Sequence, residues 1–328
     1  NIGFFPEMLK EIIEKRKKFK EELKKSTKIG HEEALKKARS NAFKLLANAS
    51  YGYQGFFGAR YYCREAAAAT ASFARKTIKD AIEKTNKAGY KILYADTDGF
   101  AFLTEDKTKK QTLDFLKKLN EQLPGILELE LEDFYKRGLW VSTRAGTTGA
   151  KKKYALITEN NKLKIRGFET VRRDWCRLAR NLQNKVIKQV LEDGNEKKAL
   201  ETIKETIKNL KQRKIPKEEL IIKTQLKKPL SEYKAITPHV IAAKKMQEKE
   251  VPIDMGGLIE FYIAENKNGK KKQLVRDRVK LPDEEGEYDI DYYLNNQILP
   301  AVENIFQVFN INITEFIEGK KQTTLGDF

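Results

Sequence analysis

The chain has 328 residues, more than one ordinary domain holds, so two or three packed units are expected. Lysine and arginine outnumber aspartate and glutamate by 65 to 47, a net charge of +18 spread along the length. Such a spread suits a long polyanion better than one small phosphate site, although Lys/Glu enrichment also marks heat-stable surfaces. No run is apolar for long enough to span a membrane. Cys63 and Cys176 are too few for a disulfide framework, and His31 and His239 offer little for a zinc cluster. A reducing, intracellular, cytoplasmic setting is expected. No secretory signal precedes the first helix, and the opening on Asn1 suits a fragment or a processed product.

The spacing of Leu9, Ile12, Ile13, Phe19 and Leu23 predicts a helix over 6–25. After a break at "STKIG" a second is expected over about 31–51, giving two antiparallel helices on a short connection. "REAAAATASFARKTIKDAIEKTNKAG" predicts a long helix ending near Gly89, its small residues suited to lying close against a sheet. "YKILYADTDGFAFLT" predicts a buried β-hairpin, apolar on both arms and turning at Thr97–Gly99. A helix over about 107–122 follows, then short strands through "LELELEDFYKRGLWVST", "KKKYALITE" and "KLKIRGFE". From about 170 the pattern is mainly helical and richer in charge, with later connections punctuated by Pro216, Pro229, Pro238, Pro252 and Pro282. "GKKQTTLGDF" reads as a tail, and there is no internal repeat.

Asp96 and Asp98 crowd two carboxylates at the tip of the expected hairpin. A divalent cation would relieve their repulsion, and Mg²⁺ is typically held by one or two carboxylates plus substrate phosphates. Against this, Asp is a common turn residue, and two solvated side chains would explain the motif equally well. Upstream, Arg16 and Lys20 share a helix face, as do Lys44 and Asn48. Antiparallel packing can direct both pairs into one cleft, a cluster suited to a triphosphate, though each pair alone could be a solvated face. Tyr51 lies three residues beyond Asn48, where its ring could pack on a base pair, and Gly52 leaves that approach open.

"KLLANASYG" resembles the K-x-x-x-N-S-x-Y-G motif of the family B DNA polymerases, and "YADTDG" resembles that family's D-T-D hairpin in its archaeal form. The likeness continues through "EKRKKFK", "KKKY", "RGFETVRRDW", "EYKAITPHVIAAKK" and "DYYLNNQILPAVENIF", and so covers essentially the whole chain. It implies an α+β fold: fingers as a helical hairpin (1–57), a palm with an antiparallel sheet and packed helices (58–165), a mainly helical thumb (166–318) and a clamp-binding tail (319–328). It further implies that Asp98 binds both catalytic metals, two Mg²⁺ or Mn²⁺ in their place, with Asp96 as a less direct partner. Arg16, Lys20, Lys44 and Asn48, with Tyr51, would bind the incoming dNTP.

Two departures stand out. Ala49 replaces the usual Ser of N-S-x-Y-G, and the D-x-x-S-L-Y-P-S segment carrying a third acidic residue is absent. The acidic clusters of a 3′–5′ exonuclease are absent too. The resemblance therefore implies a partner: a large polymerase chain, or a further segment, supplying the exonuclease and remaining palm, as in split archaeal polymerases.

"KKKYALI" places Lys152 and Tyr154 on one face of a regular strand and Lys151 and Lys153 on the other. Likeness to the family's K-K-R-Y motif makes these four residues contacts to primer–template DNA, with Lys153 where Arg is usual. Arg166, Arg172 and Arg173 are candidate phosphate contacts, with Asp174 a competing internal partner. Gln322, Leu325 and Phe328 are spaced for one 3₁₀ turn and resemble the PCNA-interacting peptide, implying a sliding-clamp partner and a nucleoid-associated enzyme. The alternative to a polymerase portion is a catalytically inactive scaffold that binds DNA and tethers a partner to the clamp.

Overall fold

The computed structural model describes residues 3–25, 30–143, 149–266 and 273–318. The chain divides into two compact units, Asn1–Leu131 and Glu132–Phe328.

The first unit opens on α1 (Phe4–Lys25) and α2 (His31–Gln54), the expected helical hairpin. Pro6 sits in the first turn of α1, where a missing N–H breaks no helical bond. Phe19 stacks on Phe43 at 5.8 Å and Phe5 on Tyr53 at 6.4 Å between ring centroids, which fixes an antiparallel register. That register brings Arg16 to the level of Lys44. After α3 (Arg64–Lys87), Gly89 takes the left-handed conformation (φ 77°) and turns the chain into β1 (Lys91–Asp96) and β2 (Gly99–Leu103). The two strands pair antiparallel, with a bulge at Leu93. Thr108 and Gln111 form a capping box that starts α4 (Lys109–Asn120).

This hairpin is not the buried element its composition suggests. Strand β1 alternates between exposed and half-buried, β2 is half-buried only at Phe100, Ala101 and Phe102, and Leu93 is 43% exposed. A two-stranded sheet has one short face to offer. Tyr90 occupies it, with its ring 4.9 Å from Phe102 and 4.8 Å from Phe115 of α4. The small-residue stretch of α3 buries only Ala67 and is exposed at Ala68, Ala69 and Thr70; Ala81 and Thr85 are buried further along the helix. Residues 126–134 form no strand despite their alternation. The Asn120 side chain takes both backbone groups of Leu129, donating to its carbonyl (2.9 Å) and accepting its N–H (2.8 Å).

The second unit holds the main core. Strands β3 (Tyr135–Ser142), β4 (Gly149–Thr158) and β5 (Leu163–Arg166) form an antiparallel sheet in that order. Helix α5 (Arg177–Asp193) ends at left-handed Gly194, whose N–H returns to the Val190 carbonyl, and α6 (Lys197–Lys211) follows. Leu139, Val141, Ala155 and Ile157 of the sheet share one core with Ala179, Val186 and Val190 of α5. Beyond come β6 (Ile222–Gln225), α7 (Pro238–Glu248), β7 (Leu258–Ile263) and β8 (Val279–Lys280), with the strands pairing in the order β6–β7–β8. This second sheet sits where the sequence reads as mainly helical. Helix α8 (Ile290–Tyr293) runs through a π-turn, Leu294–Ile298, into α9 (Leu299–Gln307) and then α10 (Ile313–Glu318). Val302, Ile305 and Phe306 of α9 complete the core. Antiparallel sheets and helices in separate runs make the fold α+β.

Candidate active site and duplex-binding strand

Asp96 pairs with Gly99 across the hairpin, so Thr97 and Asp98 form a two-residue loop. The Asp98 N–H donates to the Asp96 carbonyl at 2.7 Å, and the Thr97 hydroxyl donates to the Asp96 carboxylate at 3.1 Å. Thr97 holds φ at 54°, a left-handed conformation that a β-branched residue rarely adopts. Such strain persists only where the surroundings impose it, and it clusters at functional sites. The turn thus carries two carboxylates on either side of Thr97, Asp96 at the end of β1 and half-buried, Asp98 in the loop and exposed. Among the described residues no third Asp, Glu, His or Cys joins them in a group able to hold a metal.

On the helical hairpin, Lys44, Asn48 and Tyr51 are all exposed and spaced four and three apart along α2, hence on one face. Gly52 beside them leaves open space, with no atom within 4 Å of where a Cβ would stand. Arg16 and Lys20 are half-buried on α1. Lys20 is ion-paired with Glu130, and Lys17 with Glu128 at 3.7 Å. These acidic residues, read in the sequence only as part of a strand, pair with Lys17 and Lys20 of α1. Exposed pairs of this kind contribute ~0.2–1 kcal/mol, so a triphosphate could displace them readily.

In the second unit β4 departs from the regular strand expected for "KKKY". Trp140 pairs with Tyr154 but Ser142 with Gly149, so β4 carries extra residues opposite β3, and Lys152 is left-handed (φ 60°). This bulge breaks the two-face alternation. Lys151 and Lys152 are exposed, while Lys153 turns inward to Glu169, 2.8 Å away. Tyr154 stacks on Trp140 at 6.3 Å and pairs in register with Arg166. The Lys164 ammonium lies 5.7 Å from the centre of the Tyr154 ring and is ion-paired with Glu132. Burial works to lower its pKa, but Glu132 and the Tyr135 hydroxyl hold it above the ordinary lysine value.

Arg166 and Arg173 are exposed. Arg172 donates to Asp174 (Nε to Oδ1, 3.0 Å), and this hydrogen bond holds the Asp174 carboxyl below its usual range. Asp174, the internal partner open to Arg172 in the sequence, is thus paired with it. Gln322, Leu325 and Phe328 lie outside the described residues. Sequence reasoning missed Glu169 and its partner Gln183; the only signal was an acid standing alone in the basic run "KIRGFETVRR".

Residues 1–309 match the family profile described as DNA polymerase family B. The chain is 40% identical to the DNA polymerase of Thermococcus gorgonarius over 94% of its own length and 39% of that protein's. It is 39% identical to DNA polymerase 1 of Pyrococcus abyssi, over 99% of this chain and 41% of that one. The solved family B DNA polymerase of Pyrobaculum calidifontis superposes with a TM-score of 0.68 at 30% identity, covering 95% of this chain and 39% of that one. The chain therefore spans about two-fifths of the length of these relatives. A profile match over nearly the whole chain, with archaeal relatives collinear along it, places the chain in DNA polymerase family B.

Proposed function

We propose that this chain is the C-terminal catalytic portion of a DNA-directed DNA polymerase, adding dNMP to a primer 3′-hydroxyl. The observation that carries the reading is the strained D-T-D turn, which presents Asp96 and Asp98 in a family B chain. The relatives' name, DNA polymerase, supports it. In this reading residues 1–57 serve as fingers, 58–165 as palm, 166–318 as thumb and 319–328 as the clamp-binding tail.

The two carboxylates suit Mg²⁺, which takes one or two protein carboxylates and completes its shell with water and phosphate oxygens. Two such ions (or Mn²⁺), when bound, supply positive charge at the attacking hydroxyl and at the departing pyrophosphate. Asp98 and Asp96 would hold them. Arg16, Lys20, Lys44 and Asn48 align the triphosphate and spread its charge, which is most of what a protein contributes to phosphoryl transfer. Tyr51 packs against the nascent pair. In the other unit, Lys151, Lys152, Tyr154, Arg166 and Arg173 approach the duplex.

The third acid and any exonuclease then belong to a large chain or an adjoining segment of the same polypeptide. The tail, through Gln322, Leu325 and Phe328, engages a PCNA-type clamp, and the enzyme works at the nucleoid. Primer extension with Mg²⁺, dNTPs and the large portion tests the reading. Asp98→Ala should lower extension by at least about a thousandfold, roughly 4 kcal/mol of transition-state stabilisation. Equal extension by wild type and variant would make this chain a scaffold.

A further inference from the structure

We infer that Lys153 is a positioning residue and makes no phosphate contact: its charge is neutralised inside the second unit by Glu169, and this pair holds the bulged strand that presents Lys151 and Lys152. The inference rests on the reading of that unit as duplex-binding.

The Lys153 and Glu169 side chains are only 14% and 10% exposed, and they meet at 2.8 Å. The lysine ammonium also lies 5.2 Å from the centre of the Phe168 ring, which is fully buried. Glu169 is anchored in turn. Its other carboxylate oxygen accepts from the Gln183 side chain at 2.6 Å, and Gln183, 0% exposed, stands on α5. The Gln183 carbonyl accepts the Thr170 N–H at 2.8 Å, and its amide donates to the Ala301 carbonyl of α9. A continuous set of hydrogen bonds thus runs from two core helices through the turn after β5 to the bulge of β4.

The backbone interlocks at the same point. Gly167 is left-handed (φ 68°), and a Cβ there would stand 2.1 Å from the Lys152 carbonyl oxygen and 3.1 Å from the Lys153 Cα. The turn and the bulge therefore approach as closely as backbone allows. A lysine drawn inward at this contact fixes where its neighbours project. Removing one member of such a pair leaves a buried charge unmatched, whereas removing both charges is tolerated far better.

The test is rescue, read as duplex affinity, its salt dependence and melting temperature in the full chain. Lys153→Met should weaken duplex binding about tenfold or more and lower Tm, because Glu169 is left alone. Adding Glu169→Gln, which keeps an acceptor for Gln183, should return affinity to within about twofold of wild type and restore both Tm and the salt slope. A phosphate contact behaves otherwise. If Lys153 grips DNA, the double variant stays weak and its slope of log affinity against log salt falls by ~0.9. That result, or a Lys153→Met chain indistinguishable from wild type, would overturn the proposal. Lys151→Gln, expected to lose ~0.9 of slope, calibrates the measurement. A wild-type chain with no salt slope would sink the duplex reading instead, and failure of Glu169→Gln to restore Tm would still overturn the pair on its own.

Discussion

Gly52 lies inside α2, where a glycine ordinarily weakens a helix, yet the space beside it is open. Alanine there meets nothing within the chain and should raise stability by ~0.5–1 kcal/mol. If the face carrying Asn48 and Tyr51 receives the nascent base pair, the same methyl group obstructs it. Gly52→Ala should therefore raise Tm while lowering kcat/KM for incorporation about tenfold, roughly 1.4 kcal/mol. A variant more stable and fully active would show that no base pair approaches Gly52. Asp174 offers a pH test. Its carboxyl is depressed by the hydrogen bond from Arg172, so the pair's stabilisation is complete well above ~3.9 and is lost as pH falls through the lower folded value. The gap in Tm between wild type and Asp174→Asn should stay constant near neutrality and close in acid. It should also be small, under about 1 kcal/mol, because both side chains are half-exposed. At this scale local spacing made placement legible: Lys44, Asn48 and Tyr51 lie along one face of α2, and Asp96 and Asp98 lie at the turn of the β1–β2 hairpin. That of Lys153 was not legible, because its inward turn depends on a left-handed neighbour, Lys152, and on Glu169, sixteen residues away.

The elements were legible in proportion to how much their own residues determine them. The α1–α2 hairpin follows from helical spacing, and α4 from its capping box. The segment 126–134 misled because its alternation suits a strand while the Asn120 side chain holds Leu129 instead of a neighbouring strand. The sheet β6–β7–β8 escaped because its strands are short, β8 having two residues, and its pairing joins distant segments. Two helix starts give a chemical contrast. Cys63 precedes α3 and is exposed; Cys176 precedes α5 and is fully buried, which pushes its thiol up to about 12. Only the thiolate reacts, so at pH 8 the folded chain should take up one equivalent of a thiol reagent, at Cys63, and a second only on unfolding. Rapid labelling of Cys176 in the folded chain, located by peptide mapping, would contradict the packing at the start of α5.

Across the whole molecule the apolar burial is uneven. Among the described residues the first unit fully buries few apolar side chains, chiefly Ala67, Ala81, Tyr90 and Leu119, whereas the second buries a core running from Leu139 to Ile313. Phe57 and Phe73 of the first unit are 83% and 72% exposed. Each large apolar side chain moved out of water stabilises by ~1.5–3 kcal/mol, so the second unit should be the more stable of the two. Amide exchange should be slowest in Ala155–Ile157 and α5, and faster by orders of magnitude throughout α1–α4. Equal protection in both units would refute that ranking. The central claim is that the negative charge of Asp98, and not merely its side-chain volume, drives nucleotide addition. The most direct measurement is single-turnover incorporation of one dNMP by the chain combined with the large portion, at saturating DNA and dNTP, comparing wild type with Asp98→Asn. Duplex affinity should be unchanged and the rate lower by about a thousandfold or more; an Asp98→Asn enzyme within tenfold of wild type would contradict this role of the charge.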